Sequence, residues 1–257
     1  MKSILLFNNK GGVGKTTLTY SIANVLAKDS KVLVVDTDSQ GSLSVMFNMD
    51  PEEGNPKTLA NCINNIINEG EESICSYIQH TEFNNVDILV GGLDMEDGLN
   101  KVEQAYKDGD NVFMSIIFDI QDECDYDYVL FDSSPRLGTE VTAILYAVDY
   151  ALIPTVVDRL ALKGVEATYK RYNRINKARR GGLKFGIIRN IYEKDAAYTK
   201  KAEPEILTKY GDNVFEAVIP KSLKAPSSQV QGLNLNEERG YVKSLKEITK
   251  ELIKRIG

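Results

Sequence analysis

Apolar residues fall in short, uninterrupted runs along this chain: Ile4–Phe7, Val32–Val35, Val86–Val90, Tyr128–Phe131, Ala151–Ile153, Phe185–Ile188 and Val214–Ile219. They do not alternate with polar residues. That is the pattern of strands covered on both faces, as in a parallel sheet. Helical periodicity fills the intervals, at Thr16–Lys28, Thr139–Ala147 and Lys163–Arg179. The chain closes on an amphipathic segment, Tyr241–Gly257. Tyr241, Leu245, Ile248, Leu252 and Ile256 form one stripe and Lys243, Lys246, Lys250 and Lys254 another. Strand and helix alternate throughout. The prediction is an α/β fold, a doubly wound and mostly parallel sheet flanked by helices, in a single domain spanning residues 1–257. In such folds ligands bind at the carboxyl ends of the strands.

Composition narrows the setting. No run approaches the roughly 18 apolar residues of a membrane span, so none is expected. The apolar run at the start stops after four residues at Asn8-Asn9-Lys10, too short for a signal peptide. Cys62, Cys75 and Cys124 are odd in number, widely spaced and lack a C-x-x-C pair. This argues against a disulfide framework and a zinc site and fits a reducing, cytoplasmic location. The single histidine, His80, lies among polar residues and reads as a surface group, so histidine-based acid/base chemistry is not expected. The net charge of −6 is unevenly distributed. Residues 1–162 hold 10 Lys+Arg against 26 Asp+Glu, and residues 163–201 hold 12 against 3. An acidic first part followed by a basic stretch suits a protein with one anion-binding face.

The most specific chemistry follows the first strand. Asn9-Lys10-Gly11-Gly12-Val13-Gly14-Lys15-Thr16-Thr17 leads from that strand into the first helix. A glycine-rich turn lets backbone N–H groups wrap a phosphate, and the helix N-terminus adds positive potential. Lys15 is the residue to reach the β- and γ-phosphates, and the Thr16 hydroxyl the one to ligate Mg²⁺. Asn9 stands where the strict P-loop pattern has its first glycine, and an additional lysine, Lys10, follows it. The second strand ends in Asp36-Thr37-Asp38-Ser39-Gln40-Gly41, and the fourth in Phe131-Asp132-Ser133-Ser134-Pro135. Apolar residues ending in Asp form a Walker B pattern, with Asp132 placed for the metal.

The segment KGGVGKTT resembles the deviant Walker A motif of the ParA/MinD family of P-loop ATPases, and Asp36–Gly41 resembles the family's D-x-D-P-Q-G with Ser39 in place of proline. Ser133–Gly138 is similar to its switch II, with Ser134 replacing a proline. Leu152-Ile153-Pro154, Asn190, Val218–Ser222 and Gly232 are weaker landmarks, and the likeness spans about residues 1–252. The resemblance implies that Lys10 acts in trans on a partner's nucleotide, Lys15 in cis, and Asp38 on the attacking water. It implies ATP bound through residues 10–17, including Thr17, with Asn190 and Pro220 at the base, and Mg²⁺ near Thr16, Asp36 and Asp132. It further implies an ATP-dependent homodimer and a ParB-like partner that stimulates hydrolysis.

Within the family, no cysteine follows Asp132, which excludes a cluster-bearing iron protein. No helix-turn-helix precedes the first strand, so the chain looks Soj-like. Lys170, Arg171, Arg174 and Lys177 on one predicted helix, extended by Lys200, Lys201, Lys221 and Lys224, are candidates for non-specific contact with DNA phosphates. This makes a nucleoid-associated, ParA-type partition ATPase the leading reading. A MinD-like membrane ATPase using the terminal helix stays as an alternative, disfavoured because the apolar stripe begins as early as Tyr241 and the last turn has no aromatic anchor. So does a nucleotide-switched interaction protein with little hydrolysis.

Overall fold

The computed structural model describes residues 1–49, 55–179, 182–222 and 240–257, with the backbone alone at 159–162. In chain order the elements are β1 (Lys2–Leu6), α1 (Lys15–Leu26), β2 (Val32–Asp36), α2 (Ser42–Met46), α3 (Leu59–Ile67), β3 (Gln79–His80), β4 (Val86–Leu89), α4 (Met95–Asp108) and α5 (Val112–Glu123). There follow β5 (Tyr128–Asp132), α6 (Thr139–Ala147), β6 (Tyr150–Val156), α7 (Arg159–Ala178), β7 (Lys184–Tyr192), α8 (Ala197–Tyr210), β8 (Val214–Pro220) and α9 (Gly240–Ile256).

Eight strands form one sheet in the order β3-β4-β2-β5-β1-β6-β7-β8. All neighbours are parallel except the short edge strand β3, which runs against β4. The predicted doubly wound sheet is therefore the observed one. The unbroken apolar runs have the predicted cause: alternate side chains of each central strand enter two separate cores. Leu5, Phe7, Leu33, Val35 and Phe131 pack under α3–α7. Ile4, Leu6, Val32, Val34 and Leu130 pack under α1, α2 and α9.

The terminal stripe is used inside the domain. Tyr241, Leu245, Ile248, Leu252 and Ile256 are all buried, and the Tyr241 hydroxyl meets Ser21 Oγ at 2.9 Å. An apolar face consumed in this way is not available to a lipid surface. No helix among the described residues is long and apolar enough to cross a membrane.

One expectation is overturned. Cys75 and Cys124 form a disulfide, with Cα atoms 6.3 Å apart. Their separation of 49 residues conceals that a 3-10 turn, Ile74–Ser76, packs against the end of α5. Cys62 is free and buried, and burial pushes its thiol up to about 12. His80 is exposed as predicted and pairs with Asp87 at 2.7 Å.

Leu245 is fully buried at the centre of the α9 contact. Leu245→Ala should lower unfolding stability by about 2–5 kcal/mol in a denaturant titration, the usual cost of a buried leucine truncation. A loss under about 1 kcal/mol would mean that α9 is only loosely attached.

Candidate nucleotide site at the carboxyl edge of the sheet

β1, β2, β5 and β6 end side by side, and their following loops build the site. After β1, the turn to α1 requires left-handed backbone at Gly12 (φ 71°) and Gly14 (φ 83°). A side chain at Gly14 would also collide with the amide of Asn190. The turn is anchored from below: Asn8 Nδ2 donates to Pro154 O at 2.8 Å, and the Lys10 backbone N–H donates to Asn8 Oδ1 at 3.0 Å. Glycine at these positions and helix α1 beginning at Lys15 leave an open turn at a helix N-terminus, with nothing within 4 Å of where a side chain at Gly11 or Gly12 would begin.

Lys15 is buried. Desolvation lowers its ammonium pKa, opposed by the charges of Asp132 and Asp38. Asp132 is fully buried at the end of β5, in register with Asp36 at the end of β2. Burial, reinforced by the Asp36 charge, pushes the Asp132 carboxyl up to about 7, while Thr16, Lys15 and Thr19 favour its ionised form. Its Oδ1 accepts a hydrogen bond from Thr19 Oγ1 at 3.2 Å, and its Oδ2 is buried with no partner. An orphaned buried carboxylate oxygen beside the Thr16 hydroxyl suits a divalent cation, an oxygen-loving charge that would offset the crowding of two carboxylates.

Asp36 is placed differently from Asp132. Its Oδ2 accepts from Ser44 N (2.9 Å) and Ser44 Oγ (2.8 Å), and its Oδ1 from Asp38 N (3.2 Å). Both oxygens are thus engaged in fastening the strand-end loop to α2. Burial pushes its carboxyl up to about 6. Asp36, expected beside the metal or an active-site lysine, here has both oxygens engaged by Ser44 and the Asp38 backbone. Asp38 is half-buried, and its charge reaches Lys15.

Lys10 lies beside the turn, with its ammonium 2.8 Å from Asp158 Oδ2 just beyond β6. The pair is 30% exposed on each side, so the lysine that the family resemblance assigns to a partner's nucleotide is held within its own chain. No sequence signal marks Asp158. Asn190, expected at the base, donates its side-chain N–H to Val13 O at 2.8 Å and so braces the phosphate loop. Ile191 beside it has φ 50°, a strained value for a β-branched residue and a mark of a constrained site. Pro220 ends β8 in register with Tyr192, on the same edge of the sheet.

In the segment after β5, Ser134 replaces a proline ring with hydrogen bonds. Its hydroxyl donates to Glu140 Oε1 (3.4 Å) and accepts from Arg136 N (3.3 Å). Arg171 NH2 reaches across from α7 to Leu137 O at 3.0 Å. Arg171 is therefore partly spent on the segment after β5 rather than fully offered to a ligand, a link that charge counting could not find.

The other basic candidates do not form one patch. Lys170, Arg174 and Lys177 are exposed along α7. Lys200 and Lys221 lie near the carboxyl edge, Lys200 3.6 Å from Asp195 and Lys221 3.1 Å from Glu193. Lys201 is exposed on α8, and Lys224 and Gly232 lie outside the described residues. α7 runs from the end of β6 back to the start of β7, so Lys177 is at the opposite end of the sheet from Lys221.

The motif-bearing turn, the paired carboxylates and the sheet order converge with comparison to known proteins. A family model described as an AAA domain matches residues 1–185. The chain belongs to that family and is a P-loop ATPase of the ParA/MinD type. The chromosome-partitioning ATPase Soj of Treponema pallidum is 25% identical over 261 residues, covering 100% of this chain and 98% of its own. Apo McdA of Cyanthece superposes with a TM-score of 0.85 at 20% identity, over 98% of this chain and 99% of that one. Cobyrinic acid a,c-diamide synthase of Mycobacterium smegmatis, with a bound ATP analogue and magnesium, superposes with a TM-score of 0.79 at 19% identity, over 99% and 95%. The two structural likenesses establish the fold alone, since that fold also carries a synthase. The partition-type relatives come from sequence.

The raised carboxyl pKa values set a pH dependence for the nucleotide-free protein. A carboxyl that titrates near 4 unfolded but near 7 folded binds more protons when folded, so stability falls as pH rises through that interval. Asp132→Asn should therefore raise the stability of the nucleotide-free protein at pH 8 by about 1–3 kcal/mol and flatten its decline between about pH 4 and 7. Thermal melts across pH check this. An unchanged profile would show that Asp132 is not ionised and unpaired in the folded state.

Proposed function

We propose that the chain is a partition-type ATPase, in which bound Mg-ATP assembles a sandwich homodimer and hydrolysis releases it. The observation that carries the reading is the pair of lysines around one phosphate loop: Lys15 buried against Asp132, and Lys10 half-exposed at its rim. Lys15 binds the β- and γ-phosphates of its own nucleotide, and the charges of Asp132 and Asp38 oppose the lowering of its pKa by burial. Lys10 leaves Asp158 to meet the partner's nucleotide. Leu93, 85% exposed beyond β4, and Val45, 54% exposed on α2, give the same edge the apolar surface a dimer would cover.

For hydrolysis, the chain's residues orient and stabilise rather than form covalent bonds, as phosphoryl transfer requires. Asp38 positions a water for attack on the γ-phosphate and takes up its proton. Thr16 and Asp132 would hold Mg²⁺, which would supply positive charge beside the phosphate oxygens. Asp36 fixes the Asp38 loop through Ser44. Asn190 braces the phosphate loop near the base, and Pro220 lines the same edge.

Non-specific DNA binding by the dimer is the favoured output, with α7 as the main contributing face and a ParB-like protein as the stimulating partner. The Arg171 contact with the segment after β5 gives a route by which nucleotide state reaches α7. Burial of the α9 stripe favours this reading over a membrane one. The proposed location is the cytoplasm, at the nucleoid, a reading supported by the partition-type relatives alone, since the Cys75–Cys124 disulfide removes the cysteine argument for a reducing compartment.

The test is DNA retention by native protein and Asp38→Ala with ATP, ADP or no nucleotide across a salt series. The expected result is ATP-dependent binding without sequence preference, falling steeply with salt and persisting longer in Asp38→Ala. Lys170→Ala/Arg174→Ala/Lys177→Ala should weaken it by about tenfold or more at moderate salt. ATP-dependent dimers that ignore DNA at low salt would reject DNA as the ligand.

A further inference from the structure

The helix α5 has an outward face that the nucleotide site does not use. Val112, Phe113, Ile116 and Ile120 are buried beneath it. Met114 and Phe118, one turn apart on the opposite side, are 54% and 68% exposed. Two large apolar side chains at i, i+4 make a continuous ridge rather than scattered surface residues. Alongside runs a cleft of about 520 Å³ between the end of α3, the stretch leading to Cys75, and α5. Glu71, Glu72, Asp119 and Glu123 line it. From residue 108 to residue 135 the sequence contains no lysine or arginine. The carboxylates crowd one another: Asp119 is raised by burial and then by the charges of Glu123 and Asp122. The cleft wall is held in place, since the Cys75–Cys124 disulfide and the Ser73–Glu123 hydrogen bond both tie it to the end of α5.

We propose that the Met114–Phe118 ridge and the adjoining acidic cleft are a docking surface for a cationic amphipathic segment of a partner protein. The apolar face of such a segment covers Met114 and Phe118. Its lysines or arginines enter the cleft and relieve the repulsion among Asp119, Glu123 and their neighbours. A helix with one apolar and one basic face fits both features at once. Cys124 lies four residues before β5, and the intervening Asp125 and Asp127 bond to Lys31 just before β2, so the cleft lies toward the amino edge of the sheet, opposite the phosphate loop. A partner seated there leaves the proposed dimer edge free, so docking and nucleotide-driven assembly occur together. The inference rests on the partition reading only for the kind of partner. The surface itself is argued independently of ATP.

The test uses the full chain without nucleotide and a fluorescein-labelled amphipathic Lys/Leu peptide of about 14 residues as probe. Fluorescence anisotropy reads affinity for the native protein, Phe118→Ala, Asp119→Asn/Glu123→Gln, and a control, Glu96→Gln/Asp97→Asn, on the exposed start of α4. Phe118 is largely exposed, so its truncation should leave the melting temperature unchanged. The expected result is about tenfold weaker binding for each of the two cleft variants. The control should bind as the native chain does. Raising salt from about 0.05 to about 0.5 M should weaken the native complex but not remove the effect of Phe118→Ala.

Native affinity in both cleft variants would overturn the proposal. Equal weakening by the control would also overturn it, by reducing the effect to diffuse acidic attraction. Sedimentation showing that native protein self-associates without nucleotide, and that Phe118→Ala abolishes this, would assign the face to a second copy instead. Because nucleotide is absent throughout, failure here leaves the ATPase reading standing, and failure to hydrolyse ATP leaves the docking surface untouched.

Discussion

Two carboxylates, Asp36 and Asp132, are buried side by side where β2 and β5 end, and the rest of the site is arranged around their charge. Parallel pairing in register puts them there, because the apolar runs that drive the strands together stop at the same level. A pair of buried acids is costly unless each is answered. Asp36 is answered by Ser44 and backbone N–H groups, and it thereby fixes the loop that carries Asp38. Asp132 is answered only in part, by Thr16, Lys15 and Thr19, and keeps one oxygen without a partner. The folded, ligand-free chain therefore holds a destabilising charge that a cation and its nucleotide would remove. That is a physical reason for tight linkage between binding and the conformation of the loops around the site.

The same reasoning separates two lysines that look alike in sequence. Lys15 is buried at the start of α1, where burial lowers its pKa and the charges of Asp132 and Asp38 oppose that shift. Lys10 is in a partly exposed ion pair with Asp158, the kind of contact that contributes little net stability and exchanges readily. A weak tether keeps the lysine ordered at the rim while costing little to break. The link from Arg171 to Leu137 then joins the segment after Asp132 to the basic helix α7, so the nucleotide edge and the outer face share a mechanical connection.

Much of this was legible in the sequence because it depends on local chemistry. Strands covered on both faces need unbroken apolar runs, and Ile4–Phe7 and Val32–Val35 declare themselves. A glycine-rich turn between strand and helix announces the phosphate loop. The stripe from Tyr241 to Ile256 showed which side of α9 packs. What stayed hidden depends on long-range geometry. Nothing in the spacing of Cys75 and Cys124 shows that a turn after α3 meets the end of α5. Asp36 and Asp132 look alike as strand-end acids, and only the position of Ser44 shows that one has both oxygens engaged while the other keeps an oxygen without a partner. Charge counting grouped Lys177 with Lys221, but the course of α7 places them at opposite ends of the sheet. Asp158 follows an apolar strand with no motif, so its hold on Lys10 had no signal in the chain.

In the proposed dimer, Lys10 completes a nucleotide site across the interface. Sedimentation velocity of native protein and Lys10→Ala, each with Mg²⁺ and a non-hydrolysable ATP analogue, with ADP or with no nucleotide, tests it most directly. Dimers are expected only for the native chain with the ATP analogue. Lys10→Ala should remain monomeric while still binding nucleotide. If Lys10→Ala dimerises as the native chain does, or if the native chain stays monomeric with its site saturated, Lys10 does not act across an interface and the account is contradicted.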